Sequence, residues 1–120
     1  MTRATSILAA LTAALLLSAP AAAQTKICID AGHGGYDPGA VANNLDEKDI
    51  NLTTALAFRD WANLDSGDGG GGGSWNVIMT RSTDTYVSLS GRASYANSNG
   101  ADYFLSIHGN AGGGNGTETY

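Results

Sequence analysis

Three short apolar runs, Lys26 to Asp30, Trp75 to Thr80 and Asp102 to Ile107, alternate with two stretches in helical spacing. That alternation restricts the fold more than any other feature. Parallel neighbours need a long crossover, usually a helix, so strand, helix, strand, helix, strand predicts a parallel sheet with right-handed connections. The expected class is α/β: a mostly parallel sheet with flanking helices, a three-layer sandwich. The first helix is expected from Asp46 to about Leu64, with Ile50, Ala57, Trp61 and Leu64 in helical spacing. Asp46 is placed to cap it, and Glu47 and Asp49 suit its positive end. The second is expected through Leu89, Arg92, Ala93, Ala96 and Asn97, capped by Ser88 and stopped near Asn99-Gly100. Gly32 to Gly39, with Pro38, reads as a loop. Asp65 to Ser74, with five consecutive glycines, reads as a surface excursion. Thr117 to Tyr120 reads as the start of another strand, so the sheet is expected to be cut short after its third or fourth strand.

Ahead of this pattern, Arg3 is followed by an uncharged run from Ile7 to Leu17 and by small residues at Ala21 and Ala23. The run is about half of the 20 or so residues needed to cross a bilayer, so residues 1–23 read as a secretory signal peptide cleaved after Ala23. A retained membrane anchor is the alternative. A single arginine favours general secretion over the twin-arginine route. The mature chain, residues 24–120, is expected to be one domain working outside the cytoplasm. Eleven acidic residues against six basic ones give a net charge of −5. This balance argues against nucleic acid or an anionic membrane as partner and for a neutral or mixed substrate. Cys28 is the only cysteine and lies in a strand-like run, so no internal disulfide can form and the thiol is expected to be buried and inert.

The chain has two histidines, His33 and His108, each just beyond an expected strand, with Glu47 in the first turn of the expected helix between them. All three should meet at the carboxyl edge of the sheet, where open α/β folds build their sites. Two imidazoles and a carboxylate with room for water are the ligands of catalytic zinc, which points to a metal-dependent hydrolase. Against this stand loop histidines that are merely structural, and a glycine cradle for phosphate at Gly32 to Gly35 or at the glycines after Asn110. The cradle lacks both usual glycine motifs and a lysine to meet the charge. Asp46 and Asp49 are candidate ligands too, but read rather as solvated helix-start charges. Arg81 and Arg92 read as structural ion-pair or hydrogen-bonding residues rather than substrate clamps. Asn110 reads as a brace for the His108 loop.

Asp30-Ala-Gly-His33-Gly-Gly, Asp37-Pro-Gly-Ala40, Glu47-Lys48-Asp49 with Asn51, Met79-Thr-Arg81, Leu89 to Arg92, Ala96-Asn97 and Ser106-Ile-His108-Gly-Asn110-Ala111 occur in this order. Together they resemble the zinc-dependent N-acetylmuramoyl-L-alanine amidases of the bacterial cell wall, the AmiC-like type, from about Lys26 to Tyr120. The resemblance implies hydrolysis of the amide joining N-acetylmuramic acid to L-alanine in peptidoglycan, in the periplasm or cell wall. It implies zinc on His33, Glu47 and His108. Peptidoglycan is then the partner, with no nucleic acid and no membrane after leader removal, and with a possible activator protein whose identity the sequence leaves open. Family members usually continue beyond the segment matched by Gly116 to Tyr120, and the later part holds a glutamate thought to act as general base. Glu118 is the only other nearby acidic candidate for that role. The alternative is a non-catalytic remnant that keeps zinc and binds peptidoglycan. The glycines at Gly69 to Gly73 make the helix-to-strand turn longer than the family's usual one.

Overall fold

The computed structural model describes residues 24–67 and 73–109. The expected leader, most of the glycine run, Asn110 with the glycines after it, and Glu118 lie outside the described residues. Strand β1 (Thr25–Ala31) is the middle of a three-stranded parallel sheet, with β4 (Trp75–Met79) on one side and β5 (Tyr103–Ile107) on the other. Its central place explains its near-continuous apolar run, since both faces of a middle strand are covered. Cys28, Ile29 and Ala31 are fully buried. Burial, and then the nearby Asp30 charge, push the Cys28 thiol up to about 11, which fits an inert core residue.

Helix α1 (Glu47–Gly67) links β1 to β4, and α2 (Leu89–Ser98) links β4 to β5. The two crossovers run in opposite directions across β1, so right-handed connections place the helices on opposite faces. Side-chain alternation agrees. Ile29 and Ala31 meet Ala55 of α1, with Ile27, Val77, Met79 and Ile107 around them, whereas Asp30 on the other face meets Arg92 of α2. The α/β sandwich expected from the sequence is the fold observed.

Three local features differ from expectation. The apolar residues Ile50, Ala57, Trp61 and Leu64 face solvent. The buried stripe of α1 is Glu47, Asn51, Ala55 and Ala62, because small side chains let the helix sit close to the sheet. The start of α1 is also held differently: the Glu47 and Lys48 amides donate to the carbonyls of Ala40 and Pro38, so backbone from the preceding loop satisfies the helix end. Finally, the loop before α1 carries a small antiparallel pair, β2 (Val41–Ala42) and β3 (Leu45–Asp46). Its turn is Asn43-Asn44, with φ of 53° and 61°, the left-handed pair that a tight hairpin needs and that asparagine tolerates. By contrast, α2 begins as expected, with the Ser88 hydroxyl accepting the Gly91 amide at 3.1 Å.

Candidate metal centre

Ala31 and Ile107 are register partners at the ends of β1 and β5, and the Gly32 amide donates to the Ile107 carbonyl at 3.0 Å. The two strands therefore release His33 and His108 side by side. Their rings meet edge to face, with centroids 4.9 Å apart and planes at 81°. Glu47, at the first position of α1, reaches between them. Its Oε2 lies 3.3 Å from His33 Nε2 and its Oε1 3.1 Å from His108 Nδ1. One ligand atom from each of His33, Glu47 and His108 lies within 4.8 Å of the others.

These separations fit a divalent metal. Ligands at about 2.0–2.1 Å around a tetrahedral zinc stand about 3.3 Å from one another, the spacing Glu47 already keeps from each imidazole. The donor set is two borderline nitrogens and a hard oxygen, as zinc prefers. Exposure rises across the cluster, from 8% for the Glu47 side chain to 25% for His33 and 48% for His108. The open side adjoins a cleft of about 440 Å³ lined by His33, Asp37, Tyr86, Arg92, Phe104 and His108. A ligand position facing substrate would open there.

Several neighbours fix this geometry. Asp37 Oδ2 lies 2.9 Å from His33 Nδ1, which leaves Nε2 to face Glu47; a carboxylate behind a ligating imidazole is the usual second support of a metal site. That contact with His33, and then the Gly39 amide, hold the Asp37 carboxyl below its ordinary range. Burial pushes the Glu47 carboxyl up, but it is outweighed by hydrogen bonds from the Ala40 amide, Asn51 and His108 and by the charge of His33, so the net direction is down. The Gly109 amide also donates to Glu47, at 3.0 Å. Two glycines are needed for close approach. A Cβ on Gly32 would overlap the His108 ring, and one on Gly39, where φ is +66°, would stand 2.5 Å from His33 Cδ2 and 2.7 Å from Glu47 Oε2.

The structure thus brings together all three residues singled out from the sequence as ligands. Asp46 and Asp49 stand outside the cluster, Asp46 in β3 and Asp49 exposed on α1. The cations beside the glycine loop are already engaged, Lys48 by the Gly35 carbonyl and Asp84 and the two arginines by loop carbonyls, and the carboxylates of Asp37 and Glu47 face it, so the loop is a poor phosphate cradle. Arg81 and Arg92 serve the structure, donating mainly to backbone carbonyls. Sequence reasoning assigned no role to Asp30, Asp37 or Asn51. The signal for Asp37 was its place four residues after His33 in a tight glycine loop; for Asn51 it was the i+4 spacing from Glu47.

A family model described as N-acetylmuramoyl-L-alanine amidase matches residues 27–120. The chain is 52% identical over 100 residues to N-acetylmuramoyl-L-alanine amidase CwlM of Bacillus licheniformis, covering 79% of this chain and 35% of that protein. It is 49% identical over 96 residues to the sporulation-specific N-acetylmuramoyl-L-alanine amidase of Bacillus subtilis, again covering 79% and 35%. The chain therefore spans about a third of the length of these relatives. Among solved structures, the catalytic domain of CwlV, an N-acetylmuramoyl-L-alanine amidase from Bacillus (Paenibacillus) polymyxa var. colistinus, matches with a TM-score of 0.67 and 34% identity, over 76% of this chain and 48% of that one.

Proposed function

The chain belongs to the N-acetylmuramoyl-L-alanine amidase family, and from that premise we propose that it takes part in zinc-dependent hydrolysis of the amide between N-acetylmuramic acid and L-alanine in peptidoglycan. The observation that carries this reading is the placement of Glu47 between two imidazoles, 3.1 and 3.3 Å away, that themselves line a cleft. His33, Glu47 and His108 would hold the ion. When bound, zinc supplies the Lewis acidity that polarises a scissile carbonyl and acidifies a water. Asp37 fixes the ring orientation of His33, the Ala40 amide favours the ionised form of Glu47, and the amides of Ala40 and Gly109 together aim it at the cluster. Glu118 is this sequence's candidate general base. Residues 1–23 are proposed to export the chain, and no helix among the described residues is long and apolar enough to cross a membrane.

Release of stem peptides from purified cell wall, with and without a chelator, tests the reading. Chelator-sensitive release is expected. Binding to cell wall without release would instead support a second reading, a non-catalytic module that keeps the metal. One observation favours that alternative: among the described residues, Glu47 and Asp37 are already engaged with histidines and Asp30, which also lines the cleft, with Arg92. A general base contributes about 10²–10⁴-fold, so its absence would leave binding intact while removing most turnover.

A further inference from the structure

Beneath the histidine–glutamate cluster lie two buried cations, Arg81 and Arg92, each 5% exposed. Arg92 donates from Nη1 to Asp30 Oδ1 and the Ala31 carbonyl, both at 2.7 Å, from Nη2 to the His33 carbonyl at 2.8 Å, and from Nε to the Val87 carbonyl at 2.9 Å. Arg81 donates from Nε to the Ala31 carbonyl at 2.8 Å, from Nη2 to the carbonyls of Gly32 and Lys48, both at 2.9 Å, and from Nη1 to that of Thr83 at 3.1 Å. Three consecutive carbonyls, those of Ala31, Gly32 and His33, thus point at two guanidinium groups. His33 itself has φ of 60°, a left-handed conformation that a side chain bearing Cβ adopts only when its surroundings impose it.

We propose that Arg81 and Arg92 are positioning residues for the metal centre: together they hold His33 and Glu47 at ligand spacing before an ion binds. The inference rests on the metal-site reading given above. Arg92 fixes the His33 peptide directly. Arg81 ties the same loop to Lys48, the residue next to Glu47, so one Nη2 group links two of the three liganding elements. The third is joined through the Gly32 amide, which bonds the Ile107 carbonyl just before His108. Lysine cannot replace either residue here, because a single ammonium lacks the planar fork that meets several fixed carbonyls at once. Asp30 holds Arg92 in place from the sheet side, with its other oxygen accepting the Ser106 hydroxyl at 2.7 Å.

The test uses Arg92→Lys and Arg81→Lys in the full chain, at a temperature where circular dichroism shows each variant folded. Zinc affinity is read by competition with a chromophoric chelator, and ligand geometry by the visible bands of the cobalt-substituted protein. Groups that orient metal ligands typically change affinity by about 10–100-fold, and a loss of that size with shifted cobalt bands is expected in both variants. Lower melting temperatures with wild-type affinity and bands would overturn the proposal. A metal-free arm separates this idea from the metal reading: the ¹⁵N resonances of the His33 imidazole report its contact with Asp37. If the wild type takes up no zinc, the metal reading fails. The NMR arm then decides, with changed His33 resonances in Arg92→Lys supporting positioning by arginine and unchanged ones refuting it.

Discussion

Replacing Asp30 by alanine should cost this chain much of its stability, although Asp30 has no hydrogen bond to His33, Glu47 or His108. Asp30 is 2% exposed, and among the described residues its carboxylate is the one that pairs with an arginine of the buried pair, through Arg92 Nη1 at 2.7 Å. Its oxygens also accept the hydroxyls of Thr80 at 2.5 Å and Ser106 at 2.7 Å, so it joins β1, β5 and the residue that follows β4 to α2. Truncation would leave the buried Arg92 guanidinium without its paired carboxylate, a loss that costs about 3–5 kcal/mol for a buried ion pair. The orphaned hydroxyls belong to the same network, so their losses do not simply add to that figure. Against a total of about 5–15 kcal/mol for a domain, this is a large fraction. Urea unfolding followed by far-ultraviolet circular dichroism, in chelator and at neutral pH, would measure it. The double variant Asp30→Ala with Arg92→Met supplies the internal check, because removing both charges should cost clearly less than the sum of the single changes. A single-variant loss below about 1 kcal/mol, or strict additivity in the cycle, would refute this account of the buried pair.

Further outcomes follow from the site. His33→Ala and His108→Ala should each abolish stoichiometric zinc uptake, since three protein ligands become two; full zinc content in either dialysed variant would remove that residue from the set. Gly39→Ala should lower stability by about 1–2 kcal/mol for its left-handed backbone and also weaken zinc binding, because the added methyl meets both His33 and Glu47. Denaturant melts combined with a zinc titration would show whether both effects appear. In metal-free protein, the lowered Glu47 carboxyl contributes stability that is present above its ordinary value of 4.5 and is lost as pH falls through its folded value. Melts across acidic pH should therefore be steeper for the wild type than for Glu47→Gln, and equal slopes would show that the pairing adds nothing.

The order of elements and the residues of the cluster were legible because each rests on a local signal. Short apolar runs, the first closed by glycines, marked the strands, Ser88 marked the start of α2, and histidines just past two strand ends pointed to a shared sheet edge. What escaped depended on contacts distant in sequence. Nothing local to Asp30 announces that Arg92, 62 residues later, will bury it, and the carbonyls that hold the start of α1 come from a loop whose hairpin was hidden in Asn43-Asn44. The face of α1 was misjudged for a related reason. Ranking side chains by size selects Ile50, Trp61 and Leu64, but close helix–sheet packing selects alanine, and Ala55 and Ala62 are the residues that vanish from the surface. Along that same stripe, one and two turns toward the amino end from Ala55, lie Asn51 and Glu47. Asn51 bonds the Gly32 carbonyl at 3.2 Å and approaches Glu47 Oε1 at 3.4 Å. The contact that lets α1 lie close to the sheet is therefore also what carries the carboxylate between the two imidazoles, so changes at Ala55 and Ala62 should be felt at the site as well as in the core.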